Sequence, residues 1–133
     1  MANSLTNFGE QVMLTGSGAD GSIARIANSV RLYINTSTPN KNGTGFNQVP
    51  NGNGYVTGGI AIVFANWTLS LVSLTNQIAL TSDPSWTASG GSIANIAGAF
   101  ITFGASVMAW WERTPFTLLN TETLTLDDLT IRL

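Results

Sequence analysis

Residues 92–111 read SIANIAGAFITFGASVMAWW, and the fold turns on how this uncharged run is read. It is long enough to cross a bilayer as a helix. However, it carries Asn95, Thr102 and Ser106, is interrupted by Gly98 and Gly104, and has Arg113 as the only basic residue close outside it. Residues 42–82 are equally free of charge although they are rich in turn formers, so an uncharged window is no membrane signal in this chain. The better reading is two strands, residues 93–103 and 106–112, joined near Gly104.

The β pattern extends in both directions. Downstream, residues 116–119 and 123–133 read as strands. In the last of these Leu124, Leu126, Leu129, Ile131 and Leu133 are apolar. Their alternation slips at Asp127-Asp128, where a bulge or tight turn restores the inward face. Upstream, Thr75-Asn76 divides a strand pair at residues 68–74 and 77–81, and Asp83-Pro84 marks a break. Residues 55–64 read as a strand with a bulge or close backbone approach at Gly58-Gly59. Before it, NQVPNGNG (residues 47–54) holds two Asn-Gly pairs, which accept positive φ and make tight turns. Residues 36–45, with Pro39 and Asn42-Gly43, form a loop. Val30, Leu32 and Ile34 alternate with Arg31, Tyr33 and Asn35, the period of a half-buried strand.

Near the start, Leu5, Phe8 and Val12 fall at i, i+3 and i+7, with Ser4 as N-cap and Gly16 beyond the end, which predicts a short helix. The glycine-rich run at residues 16–21 is a linker or turn. Together these readings give an all-β fold, a β-sandwich or jelly roll of about seven to eight antiparallel strands. Residues 1–28 form an N-terminal arm or short helix and residues 29–133 the sandwich, within a single domain overall.

Composition narrows the function. Charged residues make up 9% of the chain, against about a quarter in typical domains, and polarity comes from Asn, Ser, Thr and Gly instead. Few ions need desolvating when such a face is covered by a partner. Arg25, Arg31, Lys41, Arg113 and Arg132 are scattered, so no basic stripe follows a phosphate backbone and nucleic acid is not the expected partner. There is no Cys, which removes disulfides and thiolate metal sites. The opening MANSLTNFGEQVMLTG lacks the basic and apolar regions of a secretory signal, and no membrane partner is expected.

Catalysis has little to work with. Without His or Cys the commonest general base and the best nucleophile are missing. Glu112 beside Trp110-Trp111 is the best candidate for a glycosidase carboxylate, but adjacent strand residues diverge, so one tryptophan points into the core and the other outward. Asp127-Asp128 diverge in the same way and lack a third ligand nearby. GSGADGS lacks the Lys-Ser/Thr of a P-loop. The expectation is a protein that is no enzyme and needs no cofactor or metal. Trp67, Trp86, Trp110, Trp111, Phe46, Phe100, Phe103 and Phe116 exceed what one small core comfortably absorbs, and aromatics are enriched at interface cores. Leu5, Phe8, Tyr55, Trp86 and Trp111 are the interface candidates.

Six stretches in order carry a family resemblance. They are VRLYINTSTPN (residues 30–40), NGNGYVTGG (51–59), NWTLS with TNQIALT (66–70, 75–81), PSWTASGGSIANIAGAFITFG (84–104) and ETLTLDDLTIRL (122–133). In this order the chain resembles a family of small phage virion proteins, often labelled tail-fibre-like, some of which act as capsid cement or decoration proteins. It departs from the family at Val56-Thr57, where an Arg is common after the Gly-Tyr pair. It departs again at Trp86, which Thr87, Ala88 and Ser89 separate from Gly90. The resemblance implies a virion component, made in the host cytoplasm, that sits on the outer capsid surface. Its partners would be the major capsid protein and further copies of itself in a homo-oligomer such as a trimer, with residues 1–28 laid over a neighbour. The alternative is a tail-fibre or baseplate module that contacts host glycans or tail proteins.

Overall fold

The computed structural model describes residues 4–9, 29–72, 75–127 and 129–132. Its strands are β1 (Ser4–Leu5), β2 (Ser29–Ile34), β3 (Ile60–Ala61), β4 (Trp67–Val72), β5 (Thr75–Leu80), β6 (Ser85–Thr87), β7 (Ile93–Phe103), β8 (Ser106–Leu118), β9 (Thr123–Thr125) and β10 (Thr130–Arg132). All pairings are antiparallel. One sheet runs β1-β8-β7-β2-β3, a second runs β10-β5-β4, and β6 pairs with β9. The fold is all-β and sandwich-like.

The β7–β8 hairpin, turned at Gly104 with φ 57°, contains the uncharged run of residues 92–111. Its central residues are covered on both faces. Ala99, Ile101, Met108, Ala109 and Trp111 belong to the main core, whereas Phe100, Val107 and Trp110 join Tyr33 in a second cluster. Strands buried on both faces read as near-continuous apolar runs, which is why this segment carries no charge without being a membrane span.

Three bulges shape the hairpin. Met108 has no partner between the pairs Thr102–Val107 and Ile101–Ala109, so Met108 and Ala109 both face the main core. Arg113, Thr114 and Pro115 together oppose Ala97, and this irregularity accommodates a proline that has no ladder N–H to give. Ala94 and Asn95 oppose Thr117, with Asn95 at φ 58°.

The main core joins all three sheets. Val30 and Leu32 come from β2, Trp67 and Leu80 from β4 and β5, Trp86 and Leu124 from β6 and β9, and Ile131 from β10. Trp111 is fully buried among them, and its Nε1 donates to the Thr130 carbonyl at 3.2 Å. Removing an aromatic side chain of this size from water contributes about 4–6 kcal/mol.

Several sequence expectations need correction. The strand expected over residues 55–64 is reduced to Ile60–Ala61. Tyr55 instead closes a hairpin on Gly52, with Gly52 N donating to Tyr55 O at 2.8 Å and Tyr55 N to Gly52 O at 2.9 Å. The two residues between them, Asn53 and Gly54, have φ of 51° and 91°, the handedness that a two-residue type I′ turn demands. Residues 116–118 continue β8 instead of starting a strand, and the expected last strand is divided into β9 and β10, with Asp127 in the turn between them. Trp86 lies in the short strand β6, which the sequence pattern did not mark.

At the start, Ser4 and Leu5 form a strand, and helical backbone begins only at Asn7. Its cap is Thr6 in place of Ser4, since Gly9 N donates to Thr6 Oγ1 at 3.0 Å. Val12, Gly16 and the rest of the expected helix and linker lie outside the described residues.

Gly98 shows how close the packing is. It pairs with Tyr33 on β2, and a Cβ there would overlap both the Tyr33 phenol and the Trp111 carbonyl. The absent side chain lets Tyr33 lie across β7 and donate to Trp111 O on β8 at 3.2 Å. Gly98→Ala is expected to destabilise the fold by about 1–3 kcal/mol through overpacking, read as a lower urea midpoint; an unchanged midpoint would contradict this account of Gly98.

Candidate interaction surface

Of the five residues selected from sequence as contact candidates, three lie in the core. Tyr55 is 1% exposed, Trp86 6% and Trp111 0%. Tyr55 and Trp86 pack with ring centroids 6.3 Å apart, and Trp111 is enclosed between the sheets. In this conformation none of the three has a ring face to offer a second molecule. Leu5 and Phe8 are half-buried against the same core.

The segment that carries Leu5 and Phe8 is fastened to its own chain. Ser4 and Leu5 pair with Trp110 and Ala109. Thr6 N donates to Met108 O at 2.9 Å, and the fully buried Thr6 hydroxyl lies 2.6 Å from Val107 O and 3.1 Å from Met108 O. The bulge at Met108 thus presents its carbonyls to Thr6, and a Cβ on Gly9 would strike the same Met108 carbonyl. Asn7 N donates to Lys41 O at 2.7 Å, and Asn7 Nδ2 to Asn42 Oδ1 at 3.1 Å. The described part of the expected arm, residues 4–9, therefore packs at home. Nothing in its sequence marks Thr6 as the anchor, because a buried threonine and an exposed one read alike.

Trp110 is also buried, at 7% exposure, so neither tryptophan of the pair points outward as one of them was expected to. A second layer covers it: the loop that follows β2 returns over the sheet and brings Phe46 within 5.8 Å of Trp110, 5.1 Å of Phe100 and 5.7 Å of Tyr33, between ring centroids. Edge-to-face and tilted pairs of this kind are favourable beyond their buried area. The surplus of aromatics inferred from composition is thus taken up by a second cluster on the far face of the large sheet.

What faces outward is largely uncharged. Asn51, Gly52, Asn53, Val56, Thr57, Gly58, Val63 and Thr68 are exposed, and all fall within the charge-free residues 42–82. The large apolar side chains most open to solvent among the described residues, Val56, Val63, Phe103 and Leu119, belong to four separate stretches of chain. A shallow cleft of about 390 Å³ lies between the residue 49–53 turn and the start of β7, with Ile34, Val49 and Ile93 as apolar walls and Asn51, Asn53 and Asn95 as amide groups.

Glu112 is exposed on β8 and accepts from Trp110 Nε1 at 3.4 Å, and its neighbour Arg113 lies 4.2 Å from the Phe116 ring centroid. Among the described residues no group of three or more His, Cys, Asp or Glu side chains comes together to hold a metal ion; Asp127 is exposed in its turn, and Asp128 lies outside the described residues. No helix among them is long and apolar enough to cross a membrane.

A scan against protein-family models, a search of curated proteins and a search of solved structures each find no match to this chain.

Beneath this surface the Tyr55 phenol makes two hydrogen bonds. Its oxygen accepts from Leu32 N at 3.0 Å and from Gln48 Nε2 at 2.9 Å. Along β2 it fills the gap between the β3 pairing at Ser29–Val30 and the pairing of Tyr33 with Gln48, standing in for a strand carbonyl. Gln48 also donates to the Thr57 carbonyl, which ties the exposed residue 51–57 loop to β2.

Tyr55→Phe is expected to lose about 1–3 kcal/mol by leaving the buried Leu32 amide without its acceptor, measurable as a lowered midpoint in chemical unfolding. Both phenols of the chain are pushed above their ordinary value. Burial is the larger cause for each, and the Glu112 charge adds to it at Tyr33. The folded chain therefore keeps protons that the unfolded chain releases above about pH 10. This contribution to stability is complete below that pH and is lost as pH rises through the folded values. Absorbance titration should show little phenolate at the ordinary tyrosine pH until the fold is lost; normal titration of both residues in the folded chain would contradict their burial.

Proposed function

We propose that this chain is a bacteriophage capsid cement protein that binds the outer surface of the shell and stabilises contacts between major capsid proteins. The observation that carries the reading is the uncharged surface supplied by residues 42–82, whose amides, hydroxyls and small apolar groups can be covered by a partner without stripping ions of water. The order of sequence motifs shared with small phage virion proteins supports the same reading.

Mechanism follows from surface burial. Each contact of standard size removes about 1,200–2,000 Å² from water, and repetition on a lattice adds avidity without any new type of contact. Among the described residues β1 and β3 end the large sheet and β4 and β10 the second, and such edges can be covered or paired within a homo-oligomer. The two buried clusters and the fastened residues 4–9 favour a body that docks as a rigid unit, which lowers the ordering cost of each contact. The activity proposed is structural, without catalysis or a cofactor.

The cleft with Asn51, Asn53 and Asn95 over apolar walls favours a second reading, a tail-fibre or baseplate module that contacts a host glycan. Tyr55, Trp86 and Trp111 are too deeply buried to provide the stacking platform, so the amides would have to carry recognition.

Quantitative mass spectrometry of purified particles separates the two. Cement predicts a copy number near that of the major capsid protein, or a simple lattice fraction of it such as one third. A ratio of a few per cent would sink the cement reading and move the protein to the tail, where a glycan array becomes the next measurement.

A further inference from the structure

We propose that Asn53 is the site at which this chain modifies its own backbone, by cyclising onto Gly54 and reopening to isoaspartate. The inference does not depend on the cement reading.

The chain has three Asn-Gly pairs, at residues 42–43, 51–52 and 53–54. Each combines a primary amide with an unhindered following nitrogen, so sequence alone ranks them equally. The fold distinguishes them by what holds the attacking N–H. Gly43 N donates to Asn40 O at 3.0 Å, and Gly52 N donates to Tyr55 O at 2.8 Å. Both nitrogens must first break a turn hydrogen bond. Side-chain restraint does not separate the sites, since Asn42 Oδ1 accepts from Asn7 Nδ2, Asn51 Oδ1 accepts from Thr57 N and Asn53 Nδ2 donates to Ser92 O; the attacking nitrogen does. Gly54 N has no hydrogen-bond acceptor among the described residues, and Asn53 is exposed at the tip of the hairpin.

The chemistry needs only water and base. Gly54 N gives up its proton and attacks Asn53 Cγ; the new C–N bond closes a five-membered imide, and the Cγ–Nδ2 bond breaks to release ammonia. Water then opens the imide at one of its two carbonyls. Cleavage at Cγ leaves aspartate, and cleavage at the main-chain carbonyl leaves isoaspartate with the backbone routed through the side chain.

The surroundings give the product a structural consequence. Asn53 Nδ2 donates to Ser92 O at 2.9 Å, and Ser89 N donates to Asn53 O at 3.0 Å. The Asn53 amide lies so close to Gly91 that a Cβ there would approach it to 2.9 Å. A carboxylate has no hydrogen for the Ser92 carbonyl and places negative charge against it. Isoaspartate in addition lengthens a two-residue turn, the one that delivers Tyr55 to the core. Modification thus releases residues 51–55 from residues 89–92. The vulnerable pair is also locked into the fold, because a Cβ on Gly54 would overlap the Thr87 carbonyl.

The test is to age the folded full-length chain in warm, mildly alkaline buffer and to map isoaspartate by fragmentation mass spectrometry, with a parallel sample in urea. Product at Asn53 should exceed that at Asn42 and at Asn51 by at least about fivefold, the factor that one turn hydrogen bond of ordinary net strength imposes. In urea the three sites should converge. Equal or greater product at Asn42 or Asn51 in the folded chain, or the same ranking in urea, would overturn the assignment. Asn53→Gly keeps the positive φ, so its unfolding midpoint should stay constant on ageing while that of the wild type falls. Equal losses in the two would overturn the structural consequence.

Discussion

The Trp111 residue joins three parts of the molecule at once. Its indole fills the space between the sheets, and its N–H reaches the Thr130 carbonyl on β10. Its own carbonyl accepts the Tyr33 phenol from β2, across the bare backbone of Gly98. Burial of a large apolar ring supplies the driving force, and the two hydrogen bonds satisfy polar groups that would otherwise be costly inside. The docking of β10 depends on this indole, and the need for glycine at residue 98 on the carbonyl behind it.

The far face of the large sheet is closed in a different way. Among the described residues no second sheet packs there. A loop held by its own turn hydrogen bonds, such as Thr38 N to Gly45 O at 2.8 Å and Asn47 N to Ser37 Oγ at 2.8 Å, lays Phe46 over Tyr33, Phe100 and Trp110. The same loop then meets the N-terminal segment at Lys41 and Asn42. A central hairpin covered on both faces has no side that needs charge for solvation, and polar character moves out to the turns. A body with a dense interior and amide- and hydroxyl-rich loops suits the structural role proposed for it, because its outer surface can be covered at low desolvation cost.

Much of the architecture was legible in the chain. Alternation at residues 30–35 gave β2, the run at residues 92–112 gave the central hairpin with its turn at Gly104, and the Asn-Gly pairs marked real turns. The slip in alternation at Asp127 marked the break between β9 and β10. The contact residues were another matter. Reading Trp86 and Trp111 as contacts rests on one core being too small for so many aromatics, and that premise fails at Phe46, whose loop builds a second cluster. Tyr55 offers a sharper case. Its sequence neighbours suggest a strand, yet it stands in a turn with its phenol completing the hydrogen bonding of β2. A pairing between a side chain and a strand distant in sequence leaves no periodic trace.

By itself, then, the sequence determined an all-β chain with uncharged central strands and with turns at its glycines and asparagines. Local rules govern these features: the period of side chains along a strand, the positive φ that Asn and Gly accept, and the cost of burying ions. Only the tertiary structure decided that the faces of the large sheet would be closed by different means, that Thr6 would anchor the N-terminal segment on the Met108 bulge, and that Asn53 would differ from Asn42 and Asn51. Each of these depends on which backbone group meets which across the fold, and that is settled by the simultaneous packing of distant residues around Trp111.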